Sequence, residues 1–436
     1  MLWRNPVPRW YEHRLFVGLW RVVLMRPAMH NGDQTIGVGH PRRQTRIGHF
    51  RDHRQMHRLA DGVGQGNQLL QLRRRRNRII IAPPQRHRKI RRRPQRQLVY
   101  RQMARALMAA LGRGAKIELV SDMRLYEGKG EARRLTGLQN LANAEAQRLI
   151  SQGPKWQAWI TYHNYYKAPD IIGLLVSRAL NIPYIQIEST RSPKRLNGPW
   201  SKFSTLPEAA TDHADLIFYF TDRDFFALEQ QRTARQTLTK RHPFLPLENL
   251  PDAAPLKSKT ILTVAMLRAG DKFSSYEIIA QTLPQLTPPD WRLNIAGDGP
   301  AADKIKALFA PHKDRVSFLG QLDQLGLNTA YHTAAAMLWP GVNEAFGMVY
   351  LEAQAAGVPV LAQDRMGVRD VVPPEGLVPL ENETAGLAKA LDQLLRSKTL
   401  RQTRGGSARA FISQNHLLGT ASKTLLEGIG KQLPTP

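Results

Sequence analysis

The chain reads as an α/β protein built from two doubly wound, Rossmann-like domains. Three observations predict this. From about residue 101 onward, short apolar runs alternate with stretches of helical periodicity, a pattern that builds parallel sheets covered on both faces. The alternation breaks once, over a passage with prolines at 243, 246, 251 and 255, and then restarts, as expected of a linker. The 436 residues, 42% of them apolar, suffice for about two to three domains with real cores.

The elements follow in order. Residues 101–111 place Met103, Ala104, Leu107, Met108 and Leu111 at helical spacing and stop at Gly112. A strand is predicted over 117–121, a helix over 137–149 and a buried strand over 156–161. A loop carrying His163 then leads to a helix over 170–180, a strand over 182–188 and another over 216–221. Beyond the proline passage come strand 260–266, helix 276–286, strand 292–296 and the turn Gly297-Asp298-Gly299-Pro300. Helix 302–309, strand 316–319, helix 325–335 and strand 336–339 complete the run, and a last helix spans roughly 421–431. The boundaries are residues 1–98, 99–245 for the N-terminal domain and 246–436 for the C-terminal domain.

Residues 1–98 differ in kind. The formal charge of +28 is concentrated there: residues 1–100 carry 22 Arg and one Lys against four acids, or +19, and the other 336 residues only +9. The segment also holds seven of the 13 His and lacks sustained helical or strand periodicity. Such an Arg:Lys ratio is what a GC-rich gene gives in a wrong frame, so a frameshift or mispredicted start is the expectation. A disordered basic arm that binds nucleic acid or anionic lipid is the functional competitor, and a folded accessory domain the third. On the first reading the N-terminal domain lacks its first strand and nucleic acid is not a partner. Cysteine is absent, which leaves no disulfides or thiolate metal sites and is compatible with a reducing cytoplasm. No run of about 18 apolar residues appears.

The most informative stretch is Asn343-Glu344-Ala345-Phe346-Gly347-Met348-Val349-Tyr350-Leu351-Glu352, followed by an Ala-rich run to Gly357 and the strand-like Val358-Pro359-Val360-Leu361. Glu344 lies on a Gly-containing turn and Glu352 inside the helix that follows. A helix start offers free N–H groups and the positive end of a dipole, which suits a phosphate or developing oxyanion. A carboxylate farther along can accept from a diol. The bland alternative is an amphipathic helix with two solvated glutamates.

This pattern resembles the Glu-x7-Glu motif of retaining glycosyltransferases of the GT-B fold, most closely family 4, which implies that the two doubly wound domains face each other across a cleft. The resemblance implies that Glu344 lies near the donor sugar hydroxyls, that Glu352 holds the ribose, and that the Phe346-Gly347-Met348-Val349 backbone faces sugar and diphosphate. It also implies that Arg268 and Lys272, in Leu267-Arg268-Ala269-Gly270-Asp271-Lys272, neutralise the donor diphosphate; their spacing is one residue shorter than the commoner family spacing. Gly297 and Gly299 resemble the family's Gly-x-Gly turn at the nucleotide pocket, a weak signal by itself. His163 matches a histidine that often contacts the donor sugar or reaction centre. Tyr165, Lys167 and Glu188 are acceptor-side candidates, and Asp170 is equally a helix N-cap. The implied activity is transfer of a sugar from a nucleotide-diphosphate sugar to a hydroxyl acceptor, with no metal and no other cofactor. The implied setting is the cytoplasm, with peripheral membrane contact compatible. An inactive or truncated relative is the alternative, as is an anionic-surface binder acting through residues 1–98.

Overall fold

The computed structural model describes residues 20–25, 96–152 and 156–434; the rest of the Arg-rich segment lies outside them. Two six-stranded sheets form the frame. The first comprises β1 (Trp20–Met25), β2 (Lys116–Ser121), β3 (Trp156–Tyr162), β4 (Tyr184–Ile187), β5 (Leu216–Tyr219) and β6 (Thr237–Lys240), in the order β2-β1-β3-β4-β5-β6. Its helices are α1 (Arg96–Leu111), α2 (Ala132–Ile150), α3 (Ile171–Leu180), α4 (Ser201–His213) and α5 (Asp222–Glu229).

β3 to β6 pair in parallel, as anticipated. β1 does not: it runs antiparallel between β2 and β3. The sequence reading finds no sustained strand pattern in residues 1–98, and β1 at residues 20–25 departs from that; being antiparallel, β1 is not the parallel first strand that the first lobe is expected to lack. The physical reason is local. Trp-Arg-Val-Val-Leu-Met is rich in β-branched and large apolar residues, and its backbone pairs with the otherwise open edges of β2 and β3.

The second sheet comprises β7 (Thr260–Val264), β8 (Arg292–Ala296), β9 (Val316–Gly320), β10 (Ala336–Leu338), β11 (Val360–Gln363) and β12 (Leu377–Val378), in the order β12-β11-β10-β7-β8-β9. All its pairs are parallel. The order reverses between β7 and β10, and such a switch point opens a crevice at the strands' carboxyl ends. Helices α6 (Asp271–Thr282), α7 (Ala302–Leu308), α8 (Gln324–Thr333), α9 (Met348–Ala355), α10 (Glu383–Arg396) and α11 (Lys398–Asn415) belong to this lobe.

The last helix, α12 (Leu418–Gly430), returns to the first lobe. Leu418, Ala421, Leu425 and Ile429 join the core of α1 and β3–β5, and Ser422 Oγ donates to Ala110 O at 2.7 Å. The passage from 243 to 255 contains no helix or strand. The lobes meet near the motif: the Phe220 and Phe346 rings cross edge-to-face at 5.9 Å, and Lys240 Nζ lies 2.7 Å from Asp222 and 2.8 Å from Asp370.

Candidate active site

Two loops build the site at the switch point of the second sheet. The loop after β7 carries Arg268 and, across Gly270 at φ 77°, starts α6 so that Lys272 lies in its first turn. The loop after β10 carries Trp339, Asn343 and Glu344. Lys272 Nζ donates to Glu344 Oε2, which also accepts from Trp339 Nε1 at 3.1 Å. The Lys272 ammonium lies 5.0 Å from the centroid of the Trp339 ring. Both charged side chains are mostly buried, 13% and 16% exposed, so their attraction is screened less than at a surface.

Just beyond Glu344 the chain turns through Gly347, at φ 74°, into α9. A Cβ at Gly347 would sit 2.8 Å from the Tyr350 ring, so glycine is required for space as well as for φ. No side chain caps this helix and its first turn carries no acid, which leaves its amide end suited to an anion. Phe346, Met348 and Val349 are partly buried against the core. Glu344 precedes the helix and Glu352 lies within it, so the two carboxylates do not share one helix face. Glu352 Oε2 accepts from Tyr331 Oη at 2.9 Å. Burial raises the Glu352 carboxyl above its ordinary range, and the Tyr331 hydroxyl opposes that rise.

Gly297 and Gly299 hold this architecture together from behind. A Cβ at Gly297 would lie 1.9 Å from Ala265 O, and one at Gly299 2.2 Å from Leu267 O. Leu267 N donates to Asp298 O at 3.1 Å. The two glycines therefore let the Arg268 loop lie directly on the turn after β8.

On the first lobe, His163 and Glu188 stand at the carboxyl ends of neighbouring strands β3 and β4. Both are non-glycine residues at positive φ, 70° and 55°, an arrangement that concentrates at functional sites. Their backbones are pinned, His163 N to Ile187 O and Glu188 N to Phe218 O, each at 2.8 Å. His163 Nδ1 lies 3.7 Å from Glu188 Oε1. Burial lowers the imidazole to about 4. It lifts the Glu188 carboxyl to about 8, which a Tyr162 hydrogen bond opposes and Asp224 reinforces. The adjacent Asn164 is buried and donates to Pro207 O and Thr211 Oγ1, both at 3.0 Å, which fixes the loop.

The structure thus brings Lys272, Glu344 and the 346–349 turn together, and separately pairs His163 with Glu188. The Tyr165 ring packs against His163 at a tilt, with centroids 4.7 Å apart. Lys167 is engaged elsewhere, its ammonium 5.7 Å and 5.6 Å from the Tyr166 and Trp200 ring centroids. Asp170 is the N-cap of α3, accepting from Gly173 N at 3.0 Å. Sequence reading missed Trp339 and Tyr331. Each is an ordinary core aromatic by composition, and only its polar atom, aimed at a motif carboxylate, sets it apart.

Residues 258–397, about a third of the chain, match the family described as glycosyl transferases group 1. That segment holds both loops of the site. A glycogen synthase of Mycobacterium tuberculosis is 32% identical over 165 residues, covering 35% of this chain and 40% of the relative. A GDP-mannose-dependent monoacylated alpha-(1-6)-phosphatidylinositol monomannoside mannosyltransferase of Corynebacterium glutamicum is 31% identical over 144 residues, 31% of this chain and 38% of the relative. The chain thus spans about two fifths of the length of these curated relatives. Among solved structures, sucrose-phosphate synthase from Thermosynechococcus elongatus superposes with a TM-score of 0.56 at 17% identity, over 78% of this chain and 93% of that one. The fold of this chain is accordingly GT-B, two Rossmann-like lobes.

Proposed function

We propose that this chain is a retaining glycosyltransferase that moves a sugar from a nucleotide-diphosphate donor to a hydroxyl acceptor. The observation that carries the reading is the Lys272–Glu344 pair, set at the switch point and directly before an uncapped helix start. An electrophilic sugar leaving a diphosphate needs positive charge at the leaving oxygens and an acceptor for its hydroxyls. Lys272, Arg268 and the amides around Met348 and Val349 supply the first. Glu344 supplies the second, and Glu352, steadied by Tyr331, accepts from the ribose. No metal enters this scheme, because the chain's own cations do the neutralising.

Retention proceeds by same-face attack, the departing phosphate oxygen taking the acceptor proton. Gly297 and Gly299 serve the donor by supporting the Arg268 loop, and His163, Tyr165, Lys167 and Glu188 belong to the opposite wall. The mannosyltransferase relative, whose name gives a phosphatidylinositol acceptor, supports a place in glycolipid synthesis at a membrane face, and the setting proposed for this enzyme is the cytoplasm. Among the described residues no helix is long and apolar enough to cross a membrane.

Calorimetry against UDP-, GDP- and ADP-linked hexoses tests the reading, followed by product anomer analysis by NMR. One family of donors should bind and yield a product of retained configuration. Silence from every donor on a folded sample, or an inverted product, rejects it. The antiparallel β1 favours one second reading, a relative whose acceptor lobe is impaired. Donor binding with hydrolysis but no transfer to any hydroxyl acceptor is its signature.

A further inference from the structure

A cavity of about 390 Å³ lies between the lobes beside the motif, lined by Arg223, Asn343, Asp364, Arg365, Met366, Arg369 and Leu380 among others. Three guanidiniums face it against one carboxylate. Arg369 holds that carboxylate, Asp364, through Nε and Nη2. The other two make no ion pair among the described residues. Arg223 Nη1 donates to the neutral Asn343 Oδ1 at 3.0 Å. Arg365 spends Nε and Nη2 on the single neutral oxygen Gln363 Oε1, at 3.1 and 2.7 Å. A guanidinium carries five N–H donors, so both retain donors for an anion. The nearby Asp222 and Asp370 are held by Lys240 and do not line the cavity.

The cavity is tied to the reaction centre by backbone contact. A Cβ at Gly367 would fall 2.1 Å from Ala345 O and 2.7 Å from Glu344 O, so the loop bearing Arg365 and Arg369 lies against the motif turn. Asn343, at φ 48° and one residue before Glu344, reaches both ways: Arg223 donates to its Oδ1, and its Nδ2 donates to Asp271 Oδ2 at 3.1 Å. The lip is apolar, with Met366 48% and Leu380 43% exposed. Planar cations with spare N–H donors beneath an apolar lip suit a phosphate ester carrying an organic group.

We propose that this interlobe pocket binds the phosphate of an anionic acceptor, with Arg223 and Arg365 as its specificity-determining ligands. That the ligand is the acceptor rests on the glycosyltransferase reading; that the pocket takes a phosphate ester does not. The source is either a soluble sugar phosphate or a lipid headgroup, and the test separates them. The full chain is titrated with inorganic phosphate and with glycerol 3-phosphate, and sedimented with phosphatidylcholine vesicles with and without phosphatidylglycerol. Wild type is compared with Arg223→Gln, Arg365→Gln and the double variant, so the basic N-terminal segment is constant throughout. Uridine, guanosine and adenosine diphosphates are titrated alongside, and whichever binds serves as the independent donor-site probe.

Each single variant should lose about tenfold in glycerol 3-phosphate affinity, as expected for a charge-assisted contact, with nucleoside diphosphate binding unchanged. Variant-sensitive binding of soluble phosphate identifies a sugar phosphate; sensitivity confined to anionic vesicles identifies a headgroup. Equal affinity of wild type and double variant for all these probes, or none in wild type, overturns the proposal. If Arg365→Gln fails to fold, the exposed Arg223→Gln carries the comparison alone. Failure of every nucleotide-sugar to bind, with the phosphate effect intact, removes only the acceptor assignment.

Discussion

Lys272 and Glu344, 72 residues apart, form one ion pair across the switch point of the second sheet. The pair joins the two loops that the resemblance assigns separately to phosphate and sugar. Its two charges are balanced, so each holds the other in place. Removing one leaves the other mostly buried with Trp339 as its neighbour, which costs more than losing an exposed contact.

The first prediction concerns that pair. Lys272→Ala should lower transfer turnover by about a hundredfold or more, the scale for deleting one preorganised electrostatic group. Glu344→Gln should do likewise, and the double variant should cost less than the product of the singles, because both act through one unit. Steady-state kinetics on samples with native circular dichroism checks this. Multiplicative losses would show that the pair does not act as a unit.

Tyr331 gives the second. Its hydroxyl is a hydrogen-bond donor to the buried Glu352 and opposes the upward push that burial exerts on that carboxyl. Tyr331→Phe should raise donor KM about tenfold with kcat nearly unchanged, the mark of lost ground-state binding. The defect should deepen as pH falls, because the protonated fraction of Glu352 rises. A kcat defect at constant KM would place Tyr331 in the chemical step instead.

Much of this lobe was legible beforehand because its signals are local. β8 begins and ends where its apolar run does, and the Glu-x7-Glu stretch announces both turn and helix. Elements set by tertiary contact were not. α11 contains Gly405-Gly406, a pair unfavourable to helices; Gly405 is there because a Cβ would meet Gly357 O at 2.2 Å. α4 contains Pro207, and β6 is one exposed and three half-exposed residues without apolar alternation. β1 hid in a segment whose composition pointed away from folded structure. The pairing of His163 with Glu188 and the cluster of Arg223, Arg365 and Arg369 join residues far apart in the chain, and no spacing rule reaches them.

Gly297 yields the third prediction. Gly297→Ala would set a methyl 1.9 Å from a backbone carbonyl at φ 149°, and backbone cannot step aside as a flexible side chain can. The expected loss is about 2–4 kcal/mol in stability, with weaker donor binding because the Arg268 loop is displaced. Denaturant unfolding and donor calorimetry read the two effects. Unchanged stability would mean that the β7 and β8 loops do not press together.

The fourth concerns His163 and Glu188, whose shifts act in opposite directions on stability. The folded imidazole is lowered to about 4, so its contribution grows as pH rises from about 4 to its unfolded value near 6.5 and is complete above that. The folded Glu188 carboxyl is raised to about 8. The folded state therefore binds the extra proton between about 4.5 and 8, and stability drains away as pH climbs through that window. The two slopes offset each other below about 6.5, and only the carboxyl acts from there to about 8. Both side chains keep an edge in solvent, 23% and 12% exposed, so the net loss over that upper interval is at most about 2 kcal/mol. Glu188→Gln, neutral at every pH, should flatten this decline while leaving stability at pH 6 nearly unchanged. Urea unfolding of both proteins at pH 6, 7 and 8 decides it: parallel profiles would mean that Glu188 is already ionised at pH 6, and that the pair meets the cleft as an anion.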